Sequence, residues 1–238
     1  MNVAVIFAGG TGQRMQSKTK PKQFLELHGK PIIIYTLEQF EKTEEIDAII
    51  VVCLKEWVDY CKKLIEKHSI KKVVDVISGG KTGFKSRYYG LKRVAESYDD
   101  DTIILMHDGV RPLIDIETIK ADIQCVKEHG SAITVSAATE TIAVKDDAGT
   151  IGEILERSRC QLAKAPQCFY LGQLLKAHEK AISDGIEDCI DCAYLMQNQG
   201  YTIFTVEGKP ENIKITTPSD FYIFKAIIDA RENSQIFG

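Results

Sequence analysis

Two hundred and thirty-eight residues, 44% hydrophobic and 27% charged, with 17 Gly and 6 Pro, exclude a disordered, collagen-like or low-complexity chain. A net charge of -4, from 30 Lys and Arg against 34 Asp and Glu, gives no broad electrostatic grip on nucleic acid or an anionic membrane and leaves room only for a local basic pocket. The seven Cys cannot all pair and lie in apolar or helical stretches, so they read as reduced thiols of a cytoplasmic protein. Cys189 and Cys192 form a C-x-x-C without a second pair or His partners, which predicts two thiols on a helix face rather than a zinc or redox site. Val3 to Phe7 follows the start with no basic stretch before it, and no apolar run reaches the ~18 residues of a membrane span.

In chain order, Val3 to Phe7, Ala48 to Cys53, Val73 to Ile77 and Thr102 to Met106 are apolar or β-branched at nearly every position, as strands buried on both faces are. Between them, Ile32 to Glu41, Glu56 to His68, Lys85 to Ser97 and Ile116 to Glu128 carry helical spacing. Such alternation predicts an α/β fold with a mostly parallel sheet, whose ligands sit at the carboxyl ends of the strands. Ser131 to Ala137 adds a fifth strand. Thr141 to Lys145, a turn at Asp146 to Gly149, and Ile151 to Leu155 then predict a hairpin that packs on the body or reaches another subunit. Helices follow at Leu171 to Ser183 and Asp188 to Gln199, a strand at Thr202 to Val206, and a last helix from Ser219 after Pro218. Nothing marks a linker, so residues 1–238 read as one domain with an arm at about 141–160.

Three clusters carry the chemistry. After the first strand comes Ala8-Gly9-Gly10-Thr11-Gly12-Gln13-Arg14-Met15, then Pro21-Lys22-Gln23-Phe24. Three Gly in four positions let backbone N–H groups close on an anion. A dinucleotide fingerprint fails at Met15 and lacks an acidic residue after the second strand; a P-loop fails because Lys22 follows Pro21 instead of Gly. What remains is a Gly-rich loop with two cations, Arg14 and Lys22, suited to a triphosphate of charge about -4. The second cluster, His107-Asp108-Gly109-Val110-Arg111-Pro112, puts Asp108 at the ligand edge, fit for a metal or a hydroxylated substrate, with Arg111 available for a phosphate. His107 reads as a packed ring rather than a general base. In the third, Glu211 to Pro218, Lys214 alternates with Ile213 and Ile215 and points away from their apolar face.

Together A-G-G-T-G-Q-R-M with P-K-Q-F, H-D-G-V-R-P, A-P-Q-C-F (165–169) and N-I-K-I-T-T-P-S-D resemble the IspD/TarI-type cytidylyltransferases over essentially the whole chain. The resemblance implies a Rossmann-like nucleotidyltransferase domain, a homodimer clasped by the hairpin arm, CTP as co-substrate and Mg²⁺. It implies that Arg14 and Lys22 hold the triphosphate and Lys214 the α-phosphate and transition state. Nucleotide binding would fall to Ala8, Gly9, Gly10 and Gly12, with Gly80, Lys81 and Ser86 at the cytosine. Asp108, Arg111 and Thr141 would line the acceptor side, Asp108 also serving as metal ligand, and Arg157 would meet the phosphate of the substrate in the partner subunit. The chain departs from the family at Gly83, where an Arg usually stands, leaving Lys85 or Arg87 to supply the charge or the nucleotide selectivity altered. It departs again at Ala165, preceded by Lys164, where T-P-Q is usual, and at Ile190-Asp191, where T-D is usual.

The reaction this implies is in-line attack of an acceptor phosphate on the α-phosphorus of CTP, releasing pyrophosphate. The expected acceptor is a polyol phosphate, ribitol 5-phosphate for wall or capsule polymers, with 2-C-methyl-D-erythritol 4-phosphate of isoprenoid synthesis as the alternative. Two rival classes are a non-catalytic nucleotide-binding module and an NAD-dependent oxidoreductase.

Overall fold

The protein is described by a computed structural model over residues 1–10 and 20–237, with side chains to Asn233. Its elements are β1 (Asn2–Ala8), β2 (Glu26–Leu27), β3 (Lys30–Pro31), α1 (Ile32–Lys42), β4 (Ala48–Cys53), α2 (Val58–Lys67), β5 (Val73–Ser78), α3 (Gly83–Ala95), β6 (Ile103–Asp108) and α4 (Ile116–His129). Then follow β7 (Ser131–Ala137), β8 (Ala143–Lys145), β9 (Ile151–Ile154), β10 (Gln161–Tyr170), α5 (Leu171–Ser183), α6 (Cys192–Asn198), β11 (Thr205–Glu207) and α7 (Pro218–Phe237). Among the described residues, seven strands form one sheet in the order β11-β7-β10-β6-β1-β4-β5. All neighbours are parallel except β10, which runs antiparallel between β6 and β7.

The central strands bury both faces. Along β1, Ala4, Ile6 and Ala8 enter one core with residues of α1, α2 and α4, while Val3 and Val5 enter another with residues of α3, α5 and α6. That two-sided burial is why these strands read as unbroken apolar runs. The apolar run of β5 misled: it is an edge strand, Val74 is 53% exposed, and Asp75 pairs with Arg93 at 2.7 Å. A third cluster, around Leu27, Ile32, Val110, Leu113, Ile215 and Phe224, fixes the carboxyl-end loops against α7.

Two further expectations need correction. The stretch 161–170 reads as no strand in sequence because Lys164, Pro166 and Gln167 interrupt it. Its ladder breaks between Ala163 and Gln167, so Pro166 sits in the irregularity, where a missing N–H costs no sheet bond. The helix expected from Asp188 starts only at Cys192, because Asp191 caps it, accepting from the Tyr194 N–H at 2.8 Å. Cys189 therefore lies ahead of the helix, and only Cys192 is on it.

Asp122 of α4 is fully buried, accepts a 2.7 Å bond from Thr134 Oγ1 on β7 and leaves Oδ1 without a partner. Burial pushes its carboxyl up to about 8, the Thr134 bond opposing only in part. Because the folded state holds this proton more tightly than the unfolded chain, stability is fully present below the ordinary carboxylate range and declines as pH rises towards 8. Asp122→Asn removes the titration, so its melting temperature should exceed the wild-type value by several degrees at pH 9 and by much less at pH 5, read by circular dichroism. A gap that does not grow with pH would contradict this.

Candidate active site

The carboxyl ends of β1, β5 and β6 and the segment before α7 meet around one cleft of ≈ 460 Å³. Its floor includes Ala8, Gly9 and Gly10 after β1, Gly80, Lys81 and Ser86 after β5, Asp108 after β6, and Lys22 and Lys214. Gly12 and Arg14 lie outside the described residues.

The Pro21-Lys22-Gln23-Phe24 stretch is a one-turn helix held from two sides. Phe24 is fully buried, stacked on Trp57 with ring centroids 5.2 Å apart, and Gln23 Nε2 donates to the Ala8 carbonyl at the end of β1. Lys22, 8% exposed, is thereby laid against the Gly loop. A Cβ on Gly10 would come within 3.4 Å of Lys22 Cε.

On the opposite wall Thr82 caps α3, and Ser86 Oγ accepts from the Gly80 N–H at 3.1 Å while donating to the Thr82 carbonyl at 2.9 Å. The turn is too tight for a side chain at Gly80, whose Cβ would lie 2.5 Å from that of Lys85. A cation stands beside Gly83, from one helical turn later. Arg87 lines the cleft, and its Nη1 sits 3.4 Å from where a Cβ on residue 83 would be, whereas Lys85 is not among the lining residues. Arg87 Nη2 donates to the Cys189 carbonyl at 2.6 Å, which fixes the guanidinium in place.

Asp108 joins the other two clusters. Its Oδ1 accepts from Lys214 Nζ at 2.7 Å and its Oδ2 from Arg111 Nε at 2.9 Å. Burial works against its charge, but Lys214 and Arg111 outweigh it and hold the carboxyl well below the usual range. Arg111 Nη1 donates to the Asn212 carbonyl at 3.0 Å, and the Ile215 N–H donates to the Val110 carbonyl at 2.9 Å, so the Lys214 segment is stitched to the loop after β6. Ile215 is buried, and Asp220 Oδ2 accepts from the N–H groups of Thr216 and Thr217. With its neighbours pinned on both sides, Lys214 remains 42% exposed at the cleft. Gly109 permits the close turn, since a Cβ there would stand 2.9 Å from the Phe7 carbonyl oxygen.

His107 is packed, as its position predicts: it lies against the Phe40 ring at 5.0 Å, and burial lowers its pKa to about 3. It is neutral at working pH.

A second cavity of ≈ 250 Å³ opens from the first, sharing Phe7, Arg87, Asp108 and Lys214. Beyond them it is lined by Arg111, Lys164, Ala165, Gln167 and Asp191, among others. Lys164, Gln167 and Asp191 are not singled out by sequence reasoning as site residues. The departures at 164–165 and 190–191 are the one signal that could have found them. Thr141 and Arg157 line neither cavity of the single chain. Both are exposed near the arm, and Arg157 Nη1 donates to the Thr139 carbonyl at 3.2 Å. On the arm Val144, Ile151 and Ile154 are also exposed.

Two adjoining cavities bridged by cations suit two phosphorylated reactants, and the comparisons with known proteins agree. Residues 2–230 match the family IspD: 2-C-methyl-D-erythritol 4-phosphate cytidylyltransferase. The chain is 53% identical over 238 residues to the ribitol-5-phosphate cytidylyltransferase of Vibrio parahaemolyticus serotype O3:K6 (strain RIMD 2210633), covering 100% of both. It is 34% identical over 228 residues to the 2-C-methyl-D-erythritol 4-phosphate cytidylyltransferase of Clostridium botulinum (strain 657 / Type Ba4), covering 96% of this chain and 97% of that one. The crystal structure of 4-diphosphocytidyl-2C-methyl-D-erythritol synthase from Anaerococcus prevotii DSM 20548 superposes with a TM-score of 0.82 at 26% identity, covering 96% of each chain. With the family matched over nearly all its length and its cationic motifs gathered at one sheet edge, this chain belongs to the IspD cytidylyltransferase family.

Proposed function

We propose that this protein transfers CMP from CTP to ribitol 5-phosphate, giving CDP-ribitol and pyrophosphate. The observation that carries the reading is the shared cleft of Lys22 and Lys214, continuous with a second cavity through Asp108 and Lys214. The choice of acceptor rests on the 53% identity to a protein named for ribitol 5-phosphate, against 34% to one named for methylerythritol phosphate.

A phosphomonoester is ionised near pH 7 and is its own nucleophile, so the reaction needs positioning and charge neutralisation and no general base. The chain fits that demand, since the histidine beside the site is held neutral and the Asp108 carboxylate is engaged by two cations, Lys214 and Arg111. Lys22 and Arg14 would hold the triphosphate between the Gly loop and the turn at Gly80. Lys81 and Ser86 would lie along the cytosine. Lys214 sits where both cavities meet and would neutralise charge as the acceptor oxygen reaches the α-phosphorus.

Mg²⁺ fits the donor set: it is held by one or two carboxylates plus substrate phosphates, and Asp108 is an ionised carboxylate with a lone pair to spare on each oxygen. Bound there with phosphate oxygens, it would offset the triphosphate charge.

The reading extends to the assembly. Residues 1–238 act as one nucleotidyltransferase unit whose arm, about 141–160, clasps a second copy, so that Thr141 and Arg157 reach the partner's acceptor. The exposed Val144, Ile151 and Ile154 support this, since they have no core of their own to enter. A cytoplasmic site of action rests on the CTP requirement and on seven free cysteines.

Pyrophosphate release is measured with CTP, UTP and ATP against ribitol 5-phosphate, 2-C-methyl-D-erythritol 4-phosphate and other polyol phosphates. Fastest turnover with CTP and ribitol 5-phosphate, at a sedimentation mass of two chains, is expected. Preference for methylerythritol phosphate would move the acceptor. Preference for UTP or ATP, or CTP binding without release, would overturn the cytidylyl assignment, and a one-chain mass at micromolar concentration would overturn the clasp.

A further inference from the structure

The cavity on the acceptor side holds more positive charge than its internal pairs account for. Four cations line it: Arg87, Arg111, Lys164 and Lys214. Arg111 and Lys214 share the single carboxylate Asp108. The other carboxylate, Asp191, caps α6 and accepts from Gln167 Nε2 at 3.0 Å. Neither Arg87 nor Lys164 forms an ion pair among the described residues; both donate to backbone carbonyls instead.

Lys164 is the deeper of the two. It stands in the irregular stretch of β10 and is only 9% exposed. Its Nζ donates to the Pro210 carbonyl at 2.8 Å, and its next neighbour, the Lys209 carbonyl, is at 3.5 Å. An ammonium has three donors, so this anchoring leaves capacity for a ligand. Burial, and then the positive field of Arg111, press Lys164 towards its neutral form, with Glu211 opposing. Burying a charge beside a like charge is unfavourable unless an opposite charge arrives. Ala165, next along the strand, contributes only a methyl group to the same wall.

We propose that Lys164 binds the phosphate of the acceptor together with Arg111, on the side of that phosphate turned away from the nucleotide. The inference rests on the cytidylyltransferase reading above and adds to it a residue that touches one substrate only, because Lys164 does not line the nucleotide cleft. A dianionic phosphate seated there relieves the Lys164–Arg111 repulsion and brings a compensated nucleophile to the junction at Lys214.

The test is calorimetric titration of ribitol 5-phosphate into the full-length protein loaded with α,β-methylene CTP, for wild type, Lys164→Arg, Lys164→Met and Lys164→Gln. A charge-assisted contact of this kind supports roughly a 10- to 100-fold loss of acceptor affinity in the Met and Gln variants. Lys164→Arg should retain most of the affinity, and binding of the CTP analogue should be the same in all four. The Gln variant separates the two possible roles, since its amide keeps N–H donors but carries no charge. In turnover, KM for the acceptor should rise more than kcat falls. Acceptor affinity unchanged in Lys164→Gln, or a parallel loss of nucleotide affinity, would overturn the proposal. A wild type that releases no pyrophosphate refutes the function itself, whereas a turning-over wild type with unaltered acceptor binding in the variants refutes only the role of Lys164.

Discussion

Lys214→Ala should lower pyrophosphate release from CTP by ~10²–10³-fold, the usual cost of removing one preorganised charge aimed at a transition state. The side chain is 42% exposed, and its structural role is one ion pair with a carboxylate that keeps Arg111 as a second partner. With Arg111 still compensating the half-buried carboxylate, the variant should stay folded with only a modest fall in melting temperature. It stands at the junction of the two cavities, so the loss falls on the step in which both reactants are present. The measurement is initial rate at saturating substrates beside a circular dichroism melt. A wild-type rate in a folded variant would remove Lys214 from the mechanism, and with it the reason for bringing this segment to the cleft.

Lys22→Ala should produce a loss of the same order, ~10²–10³-fold, for a related reason with a different structural accompaniment. Lys22 is buried, and its stem lies against Gly10, so truncation also removes packing. Lys22→Met keeps the stem and deletes the charge. If the ammonium is what matters, Met and Ala variants lose activity alike, while the Met variant melts nearer to wild type. Recovery of activity in Lys22→Met would assign the residue to loop packing and leave the triphosphate to Arg14.

How much of this was legible beforehand depended on where each residue sits. β4 was readable to the residue because it is buried along its length, and such burial writes itself as an apolar run. The same rule overreached at β5, whose apolar run lies on an edge. β10 escaped because a strand containing Lys164, Pro166 and Gln167 carries no alternation, and its pairing is imposed by β6 and β7 on either side. The nucleotide side of the cleft could be found from contiguous motifs at strand ends. The smaller cavity was found only in part, at Asp108 and Arg111, since Arg87, Lys164 and Asp191 come from α3, β10 and the cap of α6, and only tertiary packing brings them to one wall. Lys214 was intermediate: its alternation with Ile213 and Ile215 gave its direction, while its partner Asp108 became visible only in three dimensions.

The antiparallel β10 separates the two halves of the enzyme's recognition problem. The stretch from Ala163 to Gln167 lines the smaller cavity and contributes nothing to the larger, whose walls are built by loops leaving parallel strands. Substitutions at residues 164 and 165 therefore leave the lining of the larger cavity untouched. On the proposed reading, the acceptor is chosen by one short segment that the donor nucleotide's pocket does not share. Exchanging residues 164–165 between relatives is the natural place to begin redirecting acceptor choice.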